Sequence, residues 1–294
     1  MKRRLALIAA LLTAVLLQPA TVAQAQNCAL MPSQRAAAQM EHLFGGQPSS
    51  GSVLVRRAYV TQYDPVHRMP RWSAWEAEPD NLHPPARAGQ WATFRTDPDV
   101  TSPVRTQDYT GVGAAQMARG HIVPYFMSGG DRDHDGSRAP NDPYDNCTIY
   151  EVNYMTNVAP QLNALNGTSG TWNKLETRVR DDLVGGGLTI HIIAGPVFGD
   201  APVQYIGNGG IPIPHMFFQI LVTPYGVVPF LFVHTAQLGS SGCELDAVLE
   251  ACIVAISDIE ALTGLDFFTV FSPEFQAVLK TPDGGAVWQV LVGS

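Results

Sequence analysis

The segment HMFFQILVTPYGVVPFLFVHT, residues 215–235, carries the strongest indication of the fold. It contains two stretches rich in Phe, Val, Ile and Leu, and a third, LTIHIIAGPVF, precedes it at residues 188–198. Short apolar runs of β-branched and aromatic residues are typical of buried strands. The segments SVLVRRAYVTQYD (52–64) and RWSAWEAEP (71–79) add two further strands. The chain is therefore built around a β-sheet.

Helical segments are expected to flank this sheet. In TWNKLETRVRDDLVGGG, Thr171 suits an N-cap and Gly185 a stop. The apolar residues of this segment recur at helical spacing and form one stripe: Trp172, Leu175, Val179 and Leu183. Other helices are expected at about 33–44, 245–262 and 273–280, whereas TIYEVNYMTNVAPQ (148–161) is expected to begin as a strand. The pattern predicts an α+β fold with a mixed, mainly antiparallel central sheet and flanking helices.

The N-terminus, MKRRLALIAALLTAVLLQPATVAQAQ, has a basic start, an apolar run and small residues ending at Ala25. These features are typical of a secretory signal peptide with cleavage near Ala25. An uncleaved anchor is the alternative, although the apolar run is short for a membrane span. No later segment is long and apolar enough to cross a bilayer. We therefore expect a secreted or periplasmic protein.

This interpretation divides the chain into a signal peptide at 1–25 and a single domain at 26–294, with an N-terminal arm at 26–50. The whole chain has a formal net charge of −8. The leader contains three basic residues and no acidic one, so the mature chain has a net charge of −11. A negative overall field does not attract polyphosphates, so any nucleic-acid binding must depend on a local basic surface.

All four cysteines lie in the mature part of the chain. An even number in an exported protein favours disulfide bonds, and four cysteines allow three pairings. We expect Cys243 to pair with Cys252 across a short loop and Cys28 to pair with Cys147. No CxxC or Cys/His spacing suggests a zinc site.

Polar residues of the types that act in catalysis and metal binding occur in two separate segments. Arg119 and His121 lie at the start of an apolar run, and Asn157, Asn166 and Glu176 follow in a stretch that runs from strand through loop to helix. Amide and carboxylate oxygens suit Mg²⁺, which takes few protein ligands and keeps several waters. Strands, loop and helix would then enclose one hard cation. An isolated histidine of this kind is otherwise a hydrogen-bonded core or surface residue.

The motifs RGHIVP (119–124) and NVAPQLNALNGTSGTWNKLE (157–176) resemble those of the DNA/RNA non-specific endonucleases, which are related to mitochondrial endonuclease G. The segments FRTDP, DYTGVG, AGPVF, IPIPHMFFQI and DIEALTGLDFF also look like family segments. The resemblance extends from about Val53 to the C-terminal helices. It implies a ββα-metal catalytic motif, cleavage of DNA and RNA, and a requirement for Mg²⁺ or Mn²⁺.

The resemblance also implies roles for single residues. His121 matches the general base, and Arg119 matches an arginine that contacts phosphate. Asn166 matches the direct metal ligand, and Asn157 matches a supporting asparagine. Glu176 matches the helix carboxylate that holds water around the metal.

The chain departs from the family pattern at several positions. Ala118 replaces the usual Asp before Arg-Gly-His, and the spacing from Asn166 to Trp172 is two residues longer than expected. A family arginine before TDP is out of register, and Arg95 is the nearest candidate for substrate binding. A basic groove is expected from Arg56, Arg57, Arg95, Arg119 and Arg178.

Two alternatives concern these site residues. Glu176 would form a surface pair with Arg180 at i+4, worth about 0.3–0.5 kcal/mol. Asn166 lies in a glycan acceptor motif, and a modified Asn166 would not bind metal.

The segment DRDHDGSRAPND, residues 131–142, follows the DxDxDG arrangement of a calcium loop. Its expected ligands are Asp131, Asp133, Asp135 and Asp142. No helix pair is evident around it, so we expect a calcium-binding loop rather than an EF-hand. A solvated acidic loop is the alternative.

These observations favour a secreted, metal-dependent endonuclease that hydrolyses DNA and RNA. A non-catalytic, calcium-bound exported binding protein on the same fold is the alternative in another class, and a phosphodiesterase for small substrates is a third. The sequence does not distinguish a monomer from a homodimer.

Overall fold

A computed structural model describes residues 28–235, 242–281 and 283–293. The expected signal peptide at 1–25 lies outside these residues. The strands are β1 (Leu54–Val55), β2 (Val60–Asp64), β3 (Met69–Ala77), β4 (Met117–His121), β5 (Val158–Leu162), β6 (Ile190–Val197), β7 (Tyr205–Ile206), β8 (Ile211–Pro212), β9 (Met216–Thr223) and β10 (Gly226–Val233).

The helices flank these strands, and short 3-10 turns connect several of them. The α-helices are α1 (Pro32–His42), α2 (Pro143–Val152), α3 (Asn163–Asn166), α4 (Thr171–Thr177), α5 (Ile256–Thr263), α6 (Pro273–Leu279) and α7 (Gly284–Gly293). The 3-10 turns are Pro79–Leu82, Gly89–Ala92, Thr106–Tyr109, Val112–Ala115, Tyr125–Met127, Met155–Asn157 and Leu249–Cys252. None of the helices in the described part of the chain has the length and apolar character needed to cross a membrane.

The central sheet has the strand order β1-β2-β3-β6-β9-β10 in the described residues, and all its pairings are antiparallel. Successive side chains of a strand point to opposite faces. Phe217 accordingly packs in one buried cluster with Trp75, whereas Phe218 packs in the other with Trp72. The sheet is covered on both faces, which explains why its strands are apolar runs rather than alternating patterns. The predicted α+β fold class is confirmed.

The strands β4 and β5 form a separate antiparallel pair, in which His121 lies opposite Val158. The chain then passes through α3 into α4, which continues as a π-helix at Arg178–Val184. The predicted apolar stripe from Trp172 to Leu183 is buried. The N-cap residue is Gly170 rather than the predicted Thr171, which is the first helical residue. Gly185 follows the last helical residue, as predicted. These two strands and this helix form the expected ββα arrangement.

Two predicted elements are wrong. The segment expected to begin as a strand at 148 lies in the helix α2, which Asp142 caps by accepting hydrogen bonds from the backbone N–H groups of Tyr144 and Asp145. A side-chain acceptor at the N-cap followed by proline at the first helical position favours helix initiation. The helix expected at 245–262 is confined to Ile256–Thr263, after a 3-10 turn that carries Cys252.

Both predicted disulfides are present. Cys28 is bonded to Cys147 in α2, which ties the start of the described chain to that helix. Cys243 is bonded to Cys252 across a short loop. The arm at 26–50 contains α1, and the ring of His42 is buried against the carbonyl of Arg57 at 2.9 Å. The extent of the single domain, 26–294, stays a prediction.

Candidate active site

One cavity collects the main residues that the motifs single out. Its volume is about 510 Å³, and its walls include Arg119, His121, Asn166 and Glu176. Arg119 and His121 come from β4, Asn166 ends α3, and Glu176 lies in α4. The β4–β5 pair and the following helix therefore bring an imidazole, an amide, a carboxylate and a guanidinium into one space.

His121 is held at the end of β4 by a ring contact and a hydrogen bond. The His121 ring stacks on Phe94 with centroids 4.9 Å apart, and its Nε2 lies 3.1 Å from Oδ1 of Asn153. Asn153 follows α2 directly as its C-cap residue and is fully buried. Sequence reasoning missed Asn153 and Phe94.

The orientation of the Asn153 amide determines which His121 nitrogen carries the proton. The Asn153 Nδ2 group donates to the carbonyls of Trp91 and Ile149, each at 3.0 Å. Because both bonds require N–H donors, the Oδ1 atom must face His121 and accept a hydrogen bond from its Nε2. Neutral His121 then keeps an unprotonated Nδ1, which is the atom that a general base uses.

The surroundings of His121 favour the neutral ring. Burial lowers the pKa of His121 to about 3, with a further lowering from Arg87 and Arg119, while the hydrogen bond that His121 donates to Asn153 acts in the opposite direction. Burial disfavours an imidazolium ion because it removes the charge from water. His121 is therefore unprotonated at neutral pH.

Asn166 is positioned by a residue of β5. Its Nδ2 donates to Oε1 of Gln161 at 2.5 Å, which leaves the Asn166 carbonyl oxygen as the candidate ligand atom. Gln161 is itself packed against Gly120, where an added Cβ atom would lie 1.8 Å from Gln161 Oε1. The glycine of the Arg-Gly-His motif thus provides the space that Gln161 occupies.

Glu176 is half-buried in the cavity wall and accepts a hydrogen bond from Trp172 Nε1 at 2.7 Å. Burial raises the pKa of Glu176 to about 8, against smaller lowering effects from Trp172 and Arg180. Arg180 itself donates to the neighbouring Asp181 at 2.6 and 2.9 Å. The surface pair between Glu176 and Arg180 is therefore not the arrangement that the structure contains.

Three arginines line the cavity, and only Arg119 was expected there. The guanidinium of Arg119 lies 4.7 Å from the Phe94 ring centre, and that of Arg87 lies 5.5 Å from the same centre. Arg180 lies 5.8 Å from the Phe126 ring centre. Guanidinium groups next to one carboxylate make this cavity suitable for a phosphate anion.

The other expected basic residues lie elsewhere. Arg95 lies outside the cavity lining, with its guanidinium 4.0 Å from the Tyr150 ring centre and its Nη1 donating to the carbonyl of Thr93. Arg56 and Arg57 are buried in ion pairs with carboxylates, and Arg178 pairs with Asp182 on the surface. The predicted groove is therefore wrong for these three residues, and substrate binding by Arg95 stays a prediction.

Asn157 is buried below the site rather than in the cavity lining. Its Nδ2 donates to the carbonyls of Val123 and Val152, and its Oδ1 accepts from the backbone N–H of Val123. Asn157 therefore joins the segment after His121 to the end of α2. Its expected supporting role stays a prediction, in this backbone-holding form.

The acidic loop has a different set of neighbours from the predicted one. Ligand atoms of Asp131, Asp133 and Asp145 lie within 4.8 Å of one another. Asp142 serves as the helix cap, and Asp135 accepts from the backbone N–H of Ser137 at 2.7 Å. The sequence pattern predicts Asp135 and Asp142 as ligands because it does not indicate the helix α2. The first turn of α2 brings Asp145 into the cluster instead.

Asp145 experiences the strongest electrostatic effect in this cluster. Burial raises the pKa of Asp145 to about 7, and Asp142, Asp133 and Asp131 raise it further, against a hydrogen bond from the Arg132 backbone. Its carboxylate lies outside the lining of the His121 cavity. The acidic cluster is therefore separate from the His121 cavity.

Comparisons with known proteins agree with this geometry. A profile of the DNA/RNA non-specific endonuclease family matches residues 41–273. The chain is 26% identical over 255 residues to a protein named Nuclease from Nostoc sp. (strain PCC 7120 / SAG 25.82 / UTEX 2576), covering 82% of this chain and 85% of that protein. It is 26% identical over 231 residues to the mitochondrial nuclease EXOG of Xenopus laevis, covering 72% of this chain and 58% of that protein.

The fold also matches a solved structure. A chain from the crystal structure of the EndoG/EndoGI complex superimposes with a TM-score of 0.61 at 18% identity, covering 83% of this chain and 95% of that chain. At this identity the likeness concerns the fold. The family profile spans most of the chain, and the chain therefore belongs to the DNA/RNA non-specific endonuclease family.

Proposed function

We propose that this endonuclease is exported, depends on a Mg²⁺-type ion, and hydrolyses phosphodiester bonds of DNA and RNA with His121 as the general base. The observation that carries the proposal is the common cavity of His121, Arg119, Asn166 and Glu176. The two disulfides support an oxidising compartment outside the cytosol.

The donor groups of the cavity fit a hard divalent cation. The Gln161 contact fixes the Asn166 amide, and the Glu176 carboxylate lies in the same cavity, where burial disfavours its charge in the absence of a cation. Amide and carboxylate oxygens are the ligand types that Mg²⁺ prefers. Asn166 would bind the ion directly, and Glu176 would orient the water around it. When bound, the ion supplies Lewis-acid stabilisation of phosphate oxygens and of the leaving alkoxide.

His121 supplies the proton acceptor. Its Nδ1 takes a proton from the attacking water, since Nε2 is committed to Asn153. A bound phosphodiester adds negative charge near the ring, which raises the pKa of His121 and strengthens it as a base in the complex. Positioned general bases contribute about 10²–10⁴-fold in rate.

Arg119 and Arg87 stabilise the anionic phosphate. Their guanidinium groups lie against Phe94 beside the general base and line the same cavity. Preformed donors in such a site favour the charge that grows in the transition state. These contacts are made to phosphate rather than to base edges, which explains action on both DNA and RNA.

The proposal is tested with the mature protein, supercoiled plasmid and single-stranded RNA, each with Mg²⁺ and with EDTA. We expect both substrates to be cleaved only with the metal, and His121→Ala to lower the rate by about 10²–10⁴-fold with an unchanged far-UV spectrum.

His67→Ala is the matched control, because His67 pairs with Asp64 and lies outside the cavity. Near wild-type cleavage by His121→Ala would reject His121 as the base. An inactive wild-type protein that still binds calcium would favour the non-catalytic alternative.

A further inference from the structure

The acidic loop between β4 and α2 concentrates negative charge, and no basic side chain in the described part of the chain forms an ion pair with its clustered carboxylates. Oxygens of Asp131, Asp133 and Asp145 converge within 4.8 Å. The neighbouring Arg132 points its guanidinium away from them, toward Glu41 Oε1 at 3.1 Å and the carbonyls of Glu76 and Met127. Like charges this close repel one another unless a cation lies between them.

Asp145 provides a second, independent observation. The residue is fully buried, and its Oδ1 accepts from the backbone N–H of Arg132 at 3.0 Å. Its Oδ2 is also buried and has no hydrogen-bond partner among the described residues. A buried carboxylate oxygen without a donor is costly, and buried charges are normally paired or coordinate a metal. The loop therefore contains an unsatisfied ligand atom beside two further carboxylates.

We propose that Asp131, Asp133 and Asp145 bind a structural Ca²⁺ ion. Calcium accepts six to eight oxygens at about 2.3–2.6 Å, so two of its ligands lie up to about 5.2 Å apart. Mg²⁺ requires near-octahedral geometry at about 2.0–2.1 Å, keeps several waters and usually binds through one or two carboxylates, so a site with three carboxylates favours Ca²⁺. Backbone donors from Asp135 and Gly136 already hold the Asp131 carboxylate at 3.1 and 2.9 Å, so one ligand is oriented in advance.

The bound ion joins the loop after β4 to the first turn of α2. The same helix is bonded to Cys28 through Cys147, and its C-cap residue Asn153 holds His121. The ion thus fixes one end of a helix whose other end positions the general base. This site is separate from the cavity where a Mg²⁺-type ion is proposed, and its ligands do not line that cavity.

Calcium binding is measured in an Asn166→Ala background, which removes the proposed ligand of the catalytic ion. Chelator-treated protein is titrated with CaCl₂ by calorimetry, and its Tm is followed in parallel. We expect one Ca²⁺ per chain and a rise in Tm of roughly 5 °C at about 100-fold excess over the dissociation constant. MgCl₂ at the same concentration should raise the Tm less.

Asp133→Asn in the same background should weaken calcium binding by about tenfold or more, since affinity follows the number of charged ligands. Asp133 is exposed, so this variant is expected to fold, which a far-UV spectrum in EDTA verifies. Asp200→Asn is the matched control, an exposed carboxylate outside the cluster. Absence of calcium binding, or a titration that Asp133→Asn leaves unchanged, overturns the proposal. Neither result alters the assignment of the nuclease cavity.

Discussion

Arginine side chains serve two purposes in this protein, and the difference depends on the carboxylates within reach. Under the edge of the sheet, Arg57 donates to Glu151 Oε1 at 2.6 Å, and Arg56 donates to both oxygens of Asp97 at 2.7 Å. In the cavity, Arg87 and Arg119 lie over the Phe94 ring. The buried pairs join segments of the fold. Arg87 and Arg119 have no carboxylate partner among the described residues, so they keep donors for an incoming anion.

This contrast shows that composition and spacing do not identify the arginines that line the cavity. The chain is acidic overall, yet the cavity lining includes Arg87 and Arg119, while its third arginine, Arg180, is paired with Asp181. An aromatic support holds a cation in place without consuming its charge, since the attraction to the ring leaves the N–H groups free at the edge. A carboxylate partner, in contrast, neutralises the charge and occupies the N–H donors of the guanidinium group. We therefore expect substitutions of the buried arginines to lower stability and substitutions of the cavity arginines to change the kinetics of cleavage.

The largest effect is expected for Arg57→Ala. The substitution leaves the Glu151 carboxylate buried without its ion-pair partner and also removes the bond to the Cys28 carbonyl. Breaking one half of a buried pair costs about 3–5 kcal/mol in the free energy of unfolding. Denaturant unfolding with the disulfides intact measures this change.

Arg178→Ala is the comparison for Arg57→Ala. Arg178 pairs with Asp182 on the helix surface at 2.7 Å, and such pairs contribute about 0.3–0.5 kcal/mol. Equal losses in the two variants would remove the distinction between buried and surface arginines.

A smaller effect, on the Mg²⁺ requirement rather than on stability, is expected for Gly120→Ala. The new methyl group would displace the end of the Gln161 side chain, which holds the Asn166 amide. Because the clash is with a side chain and not with backbone, we expect the fold to accommodate the change and Asn166, the proposed metal ligand, to lose its orientation. The Mg²⁺ concentration for half-maximal activity should rise by about 10–100-fold, with little change in Tm.

Gly285→Ala is the control for Gly120→Ala, since an added Cβ atom meets no other group there within 4 Å. A metal titration of Gly120→Ala that matches the wild-type curve would show that Gln161 does not position Asn166.

The contact with Asn153 is expected to set the tautomer of the His121 ring, and burial is expected to keep that ring neutral. Histidine ¹⁵N NMR should show His121 as one neutral tautomer with its proton on Nε2, unchanged from pH 8 to about 5. The reason is that burial lowers the pKa of His121 to about 3. An unfolded histidine titrates near 6.5, so His121 subtracts stability as the pH falls below that value.

Asn153→Ala should give a mixture of His121 tautomers and lower kcat/KM by roughly tenfold, a typical effect of losing a group that orients a catalytic residue. Asn208→Ala is the control, because Asn208 is exposed in a turn. A His121 ring that titrates near 6.5 in the wild-type protein contradicts the proposed surroundings.

The sequence was sufficient for much of the sheet and for the main cavity residues, and its failures have physical causes. The strands β6, β9 and β10 are continuous apolar runs, and His121, Asn166 and Glu176 lie in motifs that resemble those of a known family. The helix α2 was missed because its buried face includes polar residues. Its buried residues are Asp145, Cys147, Thr148, Ile149, Glu151 and Val152.

The missed helix explains why Asn153 was missed as a site residue, whereas Arg87 was missed for another reason. Asn153 contacts His121 only because α2 ends beside β4, so no linear pattern indicates the pair. Arg87 belongs to a segment without regular periodicity, and tertiary contacts alone bring it to the cavity. Local spacing predicts residues within one motif, whereas partners from separate segments depend on the packing that joins them.

The smallest effect is expected from Arg87→Ala, and Arg95→Ala is its matched comparison. Arg87 lines the cavity, whereas Arg95 stacks on Tyr150 and donates to backbone carbonyls. Losing one phosphate contact should raise KM several-fold and reduce the slope of log KM against log salt concentration by about 0.7–0.9. Arg95→Ala should change both quantities less than Arg87→Ala does, because the Arg95 guanidinium already contacts Tyr150 and the Thr93 carbonyl. If Arg95→Ala changes the salt slope and Arg87→Ala does not, the substrate phosphate contacts Arg95 and not Arg87. The substrate then lies over Tyr150 rather than over Phe94, because those are the rings that the two guanidinium groups contact.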